Sequence, residues 1–296
     1  MIIISIFGGL GNQMFQYACG KALASKLGVE LKLDISFLAD KSLRENFTVR
    51  DFELDIFNIT EKTANLTEVR DFVPNLWSCN NIDLLKYKIL RLIKANHYYF
   101  EKQKFLFEPK IEQVKKNSYV YGYFQTEKYF QNVKSELIQA FTLKNKPDEQ
   151  NKKLICQMGT ENAVSIHIRR GDYHNSPFKL LEMNYYQQAI NLITEKVLNP
   201  KFYIFSNDYN WASENFAALN IDKTILTHNK ADRSYMDMIL MSHCKHNICA
   251  NSSFSWWGAW LNQNSSKIVI TPKQWFKNEE YTESTYDLIP EDWLKI

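Results

Sequence analysis

A chain of 296 residues with 45% hydrophobic and 14% aromatic content is long and apolar enough to bury more than one core, so about two domains are expected. Its 36 Lys and Arg against 33 Asp and Glu leave a formal net charge of +3, and without a concentrated basic patch this predicts no nucleic-acid partner. The 5 cysteines are scattered without metal-ligand spacing, which argues against a disulfide framework or zinc site and favours a reducing cytoplasm.

The N-terminal residues predict a strand, a glycine-containing loop and a helix. Residues 2–7 are apolar but too few for a signal peptide or a membrane span. Residues 8–13 form the loop, and residues 14–27 carry a helical apolar stripe that ends at Gly28. Glycines let a ligand approach the backbone, and N–H groups at a helix start favour an anion. A tight turn without a ligand is the alternative, because the full dinucleotide and P-loop fingerprints are missing.

The rest of the N-terminal half is less regular. Residues 29–34 alternate as a second strand, so a parallel βαβ unit is expected. Residues 82–95 predict a basic helix, whose lysines form a solvated face or, alternatively, contact the inner membrane peripherally. Residues 119–125 predict a strand whose Tyr121 and Tyr123 pack internally or contact an acceptor sugar, and residues 128–141 predict a helix.

A polar, charge-mixed run at residues 144–153 contains a proline and no apolar periodicity, so it is expected to hold the domain junction. We place the two domains at residues 1–148 and 149–296. In the second domain strands and helices alternate, which is typical of a doubly wound α/β domain. Strands are expected at residues 164–169, 202–206, 223–227, 247–250 and 267–271, and helices at residues 185–197, 211–219, 234–244 and 253–261.

The strand that begins at Val164 carries the candidate anion site. Aliphatic residues alternate with polar ones, so that His167 and Arg169 share one face, and a turn through Asp172 follows. An arginine offers a flat fork of donors that matches phosphate oxygens. The alternative is a surface ion pair between Arg169 and Asp172.

Two more polar segments follow predicted strands, and the carboxyl ends of parallel strands are where such sheets bind ligands. Ser206 and Asp208 follow one strand, and Asp208 would bind a ribose hydroxyl or equally well cap the next helix. The other segment opens a helix with hydroxyl groups suited to phosphate, or with ordinary capping residues. It comprises Asn251, Ser252, Ser253, Phe254 and Ser255. The tryptophans at 256, 257 and 260 are expected to pack in the core or at the domain interface rather than to stack on a sugar.

Three motifs resemble the bacterial α-1,2-fucosyltransferases of glycosyltransferase family 11. They are GGLGNQMFQYA at residues 8–18, HIRRGDY at residues 167–173 and NSSFSWW at residues 251–257, with supporting blocks at residues 205–208 and 235–244. The resemblance implies a GT-B-type α/β fold, in which two Rossmann-like domains face each other across a cleft. The N-terminal domain would be acceptor-side, and the C-terminal domain would bind the nucleotide sugar.

The same resemblance implies inverting transfer of L-fucose from GDP-β-L-fucose to the 2-hydroxyl of a terminal galactose, without a metal or other cofactor, for bacterial surface polysaccharide. Arg169 would hold the β-phosphate, assisted by His167, Asp172 and Asn12 as catalytic residues. The expected donor-binding residues are Gly9, Gly11, Asn12, Gln13, His167, Arg169, Ser206, Asp208, Asn251, Ser252, Ser253, Phe254 and Ser255.

Other functions remain open from the sequence. One is a related inverting transferase with another nucleotide sugar or linkage, and another is a non-catalytic nucleotide- or glycan-binding protein. Two-carboxylate glycoside hydrolysis has no support in the sequence, and an Asp-x-Asp metal motif is missing. Asp172 and Asp34 are the only candidates that we name for a general base.

Overall fold

The computed structural model describes residues 1–39, 50–72, 85, 88–89, 97–174, 176–278 and 285–296. The chain divides into two compact units, residues 1–145 and 146–296, and each contains a parallel sheet with helices. Most of the predicted basic helix at residues 82–95 lies outside the described residues.

Unit 1 is built on a five-stranded parallel sheet of order β3-β2-β1-β5-β4. Its central strand β1 is wholly apolar at Ile2, Ile3 and Ile4, which are completely buried, as expected for a parallel strand covered on both faces. The strands are β1 Ile2–Ser5, β2 Leu31–Asp34, β3 Lys62–Thr63, β4 Tyr98–Phe100 and β5 Ser118–Tyr121. The helices are α1 Leu10–Leu27, α2 Ser36–Ala39, α3 Leu66–Arg70 and α4 Lys134–Ala140.

Helix α1 starts earlier than predicted. Gly9 is its N-cap, so Gly11, Asn12 and Gln13 lie in the first helical turn and not in a loop. The turn itself is confined to Gly8 and the N-cap Gly9, and the φ of Gly8, 77°, is a conformation that glycine tolerates best. Gly28, with φ 61°, ends the helix as predicted.

The segment after β5 also departs from the prediction. The strand ends at Tyr121, four residues early, because the backbone turns through Phe124 with φ 53°. In place of one helix at residues 128–141, two 3₁₀ turns precede α4. Phe130, with φ −144° and ψ 16°, separates the two turns and prevents a continuous helix.

Unit 2 contains a six-stranded parallel sheet of order β11-β10-β9-β6-β7-β8. Its strands are β6 Ala163–Ile168, β7 Lys201–Ser206, β8 Lys223–Leu226, β9 His246–Ile248, β10 Val269–Thr271 and β11 Leu294–Lys295. Its helices are α5 Glu149–Thr160, α6 Met183–Lys196, α7 Tyr209–Ala217, α8 Tyr235–His243 and α9 Ser253–Trp260. The predicted alternation of strands and helices is confirmed.

Strand β6 has the two faces that its sequence predicts. Val164, Ile166 and Ile168 pack in one core cluster with the apolar residues of α6 and α7. On the other face, Ser165 Oγ accepts a hydrogen bond from Asn247 Nδ2 at 2.8 Å, and the His167 ring contacts Phe254. The period-2 argument thus places His167 correctly.

The polar run at residues 144–153 is not irregular throughout, because α5 begins inside it. Asp148 caps this helix by accepting the N–H of Asn151 at 2.9 Å. Asn151 and Met158 are its buried residues, a stripe too narrow to show as apolar periodicity.

Tryptophans and cysteines are distributed unevenly. Trp256, Trp257 and Trp260 are buried and in mutual contact, as expected for core packing, which was one of the two arrangements predicted for them. Cys19 in unit 1 and Cys244 and Cys249 in unit 2 are buried free thiols, whereas Cys156 is exposed.

Among the residues that the structure describes, none of the helices combines the length and apolar character needed to cross a bilayer.

Candidate active site

Three neighbouring strands of unit 2 end in the polar segments singled out from sequence. The order β9-β6-β7 places the residues after Ile248, Ile168 and Ser206 side by side at the carboxyl edge of the sheet. Several hydrogen bonds join the segments. Tyr173 donates to the Asn251 carbonyl at 2.8 Å, and Asn207 Oδ1 accepts the Arg170 N–H at 2.9 Å.

Arg169 forms the ion pair with Asp172 that was the alternative to anion binding. Its Nη2 lies 2.7 Å from Asp172 Oδ2, and the two side chains are 25% and 45% exposed. A pair this accessible to water contributes typically less than about 1 kcal/mol, so a phosphate can replace the carboxylate at little cost. The bond also engages only one of the guanidinium's donors.

Arg170, in contrast, is a structural residue. Its side chain is buried, donates to the Leu181 carbonyl at 2.8 Å and lies 4.3 Å from the centre of the Trp211 ring. These contacts hold the chain after β6 against α7. Of the two arginines, Arg169 is therefore the one that is accessible to solvent.

His167 is a buried, neutral imidazole. Burial, and then the charge of Arg169, lower its pKa to about 3, and Asp172 opposes this effect only in part. The ring centre lies 5.5 Å from that of Phe254, and Nδ1 has no hydrogen-bond partner among the described residues. A neutral ring at this edge can accept or donate one hydrogen bond to a ligand, but it supplies no positive charge near neutral pH.

The residues after β7 serve the local backbone. Ser206 Oγ donates to the Asp208 carbonyl and accepts the Asp208 N–H, both at 2.9 Å. The Asp208 carboxylate accepts the N–H of Trp211 at 3.1 Å and so caps α7, which is one of the two roles expected for it. Asn207, which sequence reasoning passed over, fixes the turn by accepting from Arg170 and Gly171 and donating to Asp172.

The segment before α9 divides into buried anchors and half-buried residues. Asn251 is fully buried and donates to the carbonyls of Lys179 and Trp275, at 2.8 and 2.7 Å. The buried Ser252 hydroxyl caps the helix at the N–H of Phe254, and Ser255 donates to two backbone carbonyls. Ser253 and Phe254 are half-buried, so they are the members of this segment that a ligand would reach first.

The remaining predicted residues lie in unit 1, at the start of α1. Gln13 is completely buried, and its amide donates to the carbonyls of Gly8 and Asp51, both at 2.8 Å, and accepts the N–H of Glu53 at 3.0 Å. Gln13 therefore supports the turn from within. A side chain at Gly9 would meet no atom within 4 Å, so the backbone there is open to an approaching group, whereas Gly11 is buried.

Asn12 is the half-buried polar residue of this turn. Its Oδ1 accepts a hydrogen bond from Gln125 Nε2 at 2.9 Å. No hydrogen bond to another described residue engages its Nδ2. An added Cβ at Gly8 would lie 2.7 Å from that nitrogen, so a side chain there would force the Asn12 amide to move.

Asp34, a candidate base, is buried and already paired. It accepts from the Tyr119 hydroxyl at 2.6 Å and from the Ser36 N–H at 3.0 Å. Within the described residues no three His, Cys, Asp or Glu side chains are grouped so as to hold a metal ion.

Comparison with known proteins gives matches over the full length. The family model "Glycosyl transferase family 11" matches residues 1–296. The O-antigen biosynthesis glycosyltransferase WbnK of Escherichia coli is 34% identical over 307 residues, covering 98% of each chain. An alpha-1,2-colitosyltransferase of Escherichia coli is 33% identical over 303 residues, covering 100% of this chain and 99% of that protein. Galactoside alpha-(1,2)-fucosyltransferase 2 of Pongo pygmaeus is 25% identical over 150 residues, or 47% of this chain and 44% of its own length.

Solved structures share the fold at low sequence identity. Fucosyltransferase NodZ from Bradyrhizobium matches with a TM-score of 0.50 at 12% identity, over 87% of this chain and 91% of that one. A mutant of Arabidopsis thaliana FUT1 matches with a TM-score of 0.52 at 12% identity, over 91% of this chain and 70% of that one. Together with the two parallel sheets, these matches confirm the predicted α/β fold of GT-B type.

Proposed function

Because the chain belongs to glycosyltransferase family 11, we propose that it is an inverting transferase that moves L-fucose from GDP-β-L-fucose to the 2-hydroxyl of a terminal galactose. The observation that carries the proposal is the partly exposed Arg169, which lies next to the half-buried start of α9 at one sheet edge. Similarity to an O-antigen glycosyltransferase supports a role in bacterial surface polysaccharide.

The electrostatics of this edge suit a departing nucleoside diphosphate. Negative charge accumulates on the GDP oxygens as the bond to the sugar breaks, so fixed donors stabilise the transition state more than the ground state. Arg169 supplies a permanent charge, and the N-terminus of α9 supplies backbone dipoles beside Ser253. We propose that the phosphate displaces Asp172 from Arg169 and that His167, kept neutral by burial, contributes a hydrogen bond.

In this proposal the reaction needs no metal. The charge that a divalent cation would otherwise offset is met by Arg169 and the helix dipole. Asn12 contributes a neutral amide donor from unit 1, placed at the first turn of α1. The cleft between the domains that the family resemblance implies remains a prediction.

A second donor is suggested by one of the relatives. The alpha-1,2-colitosyltransferase is similar to this chain over its whole length, and colitose is L-fucose without its 3-hydroxyl. The linkage and the nucleotide would be the same for both sugars. Only contacts to one hydroxyl would distinguish the two donors. A site that hydrogen-bonds this hydroxyl rejects the deoxy sugar strongly, whereas an apolar site rejects the hydroxylated sugar only weakly.

The function is tested by offering GDP-fucose, GDP-colitose and GDP-mannose separately, each with lactose, N-acetyllactosamine and a Galβ1,3-linked acceptor. We expect transfer from GDP-fucose in the presence of EDTA, and linkage analysis should locate the new sugar on the galactose 2-hydroxyl. Preference for GDP-colitose would assign the second donor. Folded protein that binds GDP but transfers from none of the donors would contradict the proposal and favour a binding protein.

A further inference from the structure

Glu101 occupies an unusual place in unit 1, directly after β4 at the carboxyl edge of the sheet. Its two carboxylate oxygens accept backbone N–H groups from the residues that follow the neighbouring strand β5. Oε2 accepts from Tyr123 at 2.6 Å and Oε1 from Phe124 at 3.0 Å. One side chain therefore holds the first residues of the next connection.

Residues 122–125, the segment that Glu101 bonds, have an unfavourable backbone conformation. Phe124 is fully buried and has φ 53°, a left-handed conformation that non-glycine residues rarely adopt. A Cβ at Gly122 would lie 2.5 Å from the Cβ of Glu101, so the two strands meet this closely only with glycine there. Because this backbone conformation is unfavourable by itself, we expect the segment to need the hydrogen bonds with the Glu101 carboxylate to keep it.

The segment ends at Gln125, which contacts the predicted donor site. Gln125 Nε2 donates to Asn12 Oδ1 at 2.9 Å and so determines which end of the Asn12 amide is engaged within the fold. The nitrogen end, which can donate to an anion, is left for another partner. Glu101 is thus connected to Asn12 by two backbone hydrogen bonds and one side-chain hydrogen bond.

We propose that Glu101 is a positioning residue for the transfer reaction: by fixing residues 122–125 it holds Gln125, and through Gln125 it orients the amide of Asn12 toward the nucleotide sugar. This inference rests on the proposed function, because Asn12 acts only on a bound donor. It adds a residue from outside the three family motifs.

The surroundings of Glu101 make this role sensitive to pH. Burial raises its pKa to about 7, against the two N–H groups that lower it, while the charge of Glu108 raises it and that of Lys104 lowers it. The other titratable groups whose pKa values its charge raises are Cys19 of α1, Tyr123 and Tyr129. Protonation replaces charge-assisted hydrogen bonds with weaker ones, so kcat should fall as the pH drops below about 7.

The test uses four variants of the full chain. Glu101→Gln exchanges one acceptor oxygen for an NH₂ group that cannot accept a backbone N–H, and Gln125→Met removes the donor to Asn12. The third variant combines both changes. Glu108→Gln is the matched control, because Glu108 also accepts two backbone N–H groups, from Lys102 and Gln103, but none from residues 122–125. Its charge raises the pKa of Glu101, so this variant should lower that pKa without breaking the path to Asn12.

For turnover, we expect Glu101→Gln and Gln125→Met each to lower kcat by about 10- to 100-fold, since small displacements of a reacting group have effects of that size. The double variant should be no slower than the slower single one, because both changes break the same path. Glu101→Gln should also lose the acidic limb of the kcat profile, whereas Glu108→Gln should retain it, moved to lower pH because the charge of Glu108 no longer raises the pKa of Glu101. Multiplying effects in the double variant, or an unchanged pH profile, would overturn the proposal.

Hydrogen–deuterium exchange tests the connection without turnover. Glu101→Gln should speed exchange in peptides covering residues 122–125 and also in those covering residues 8–13, whereas Glu108→Gln should leave both unchanged. Faster exchange at residues 122–125 alone would refute the link to Asn12. If the wild type transfers no sugar, the proposed function fails on its own, and exchange still decides whether Glu101 controls Asn12.

Discussion

Replacing His167 by glutamine removes a buried imidazole whose protonation the fold opposes. Its pKa is lowered from 6.5 to about 3, by burial first and by the charge of Arg169 second. Because the folded-state pKa lies below the unfolded one, the unfolded chain takes up the proton first as the pH falls. The free-energy contribution of a neutral His167 is thus fully present above about pH 6.5 and is lost progressively from there down to about pH 3.

The size of the effect follows from the same two values. A pH of 5 lies about 1.5 units below the pKa of 6.5 that the imidazole has in the unfolded chain, so the unfolded group is protonated. The folded group is still almost wholly neutral at this pH. At 1.36 kcal/mol per unit, the wild type should lose about 2 kcal/mol of unfolding free energy between pH 7 and pH 5 through this residue alone. His167→Gln should lack that loss.

Urea unfolding at the two pH values, followed by tryptophan fluorescence, measures the difference. Trp211, Trp256, Trp257, Trp260, Trp275 and Trp293 all lie in unit 2 with His167, so the signal reports mainly on that unit. Because other groups titrate in both proteins, the quantity of interest is the wild type minus the variant. His174→Gln, at an exposed position, is the control. A pH-dependent difference below about 0.5 kcal/mol would refute the reasoning.

Three further outcomes are expected. Arg169→Ala should lower kcat about 100-fold while changing the urea midpoint little, because its exposed ion pair contributes less than about 1 kcal/mol; unimpaired turnover would remove Arg169 from the mechanism. Arg170→Met should cost about 2–4 kcal/mol of unfolding free energy, since it leaves the Leu181 carbonyl without its buried donor and ends the contact with Trp211; a midpoint like that of the wild type would show those contacts to be unimportant. Asp208→Asn keeps a capping oxygen for α7, so stability should change by less than about 1 kcal/mol, and weaker GDP binding would then indicate a ribose contact in addition to the cap.

The sequence was most informative where strands are buried on both faces. The apolar runs of β6, β7 and β10 and the intervening helices of unit 2 have strong periodic patterns, and their predicted bounds agree with the structure to within a few residues. The strand Lys62–Thr63 is different, because both side chains are exposed and only pairing with Lys32 and Leu33 makes it a strand. Pairing of this kind depends on the tertiary fold, so the local sequence pattern does not predict the strand.

For the site, sequence indicated which segments come together but not how each side chain is used. Adjacency followed from the rule that parallel strands end at one edge, and the strand order β9-β6-β7 fulfils it. Gln13, Asn251 and Ser206 were expected to contact the donor, yet the structure shows the Gln13 amide, the Asn251 Nδ2 and the Ser206 hydroxyl hydrogen-bonded within their own units. The Asp51 carbonyl that Gln13 reaches and the Lys179 and Trp275 carbonyls that Asn251 reaches lie far along the chain, and residue type alone does not reveal them. Contacts of these three with a donor stay a prediction.

Each unit contains buried cysteine thiols that can report on its opening. Burial raises the pKa of Cys19 in unit 1 and of Cys244 and Cys249 in unit 2, so none of the three reacts with an alkylating reagent until its surroundings open. Pulse alkylation followed by peptide mass spectrometry would therefore time the opening of the two units separately in one sample, with the exposed Cys156 recording the intrinsic rate of the reagent. A donor sugar that shields the thiols of both units would have to engage both, whereas one held by unit 2 alone would slow only Cys244 and Cys249.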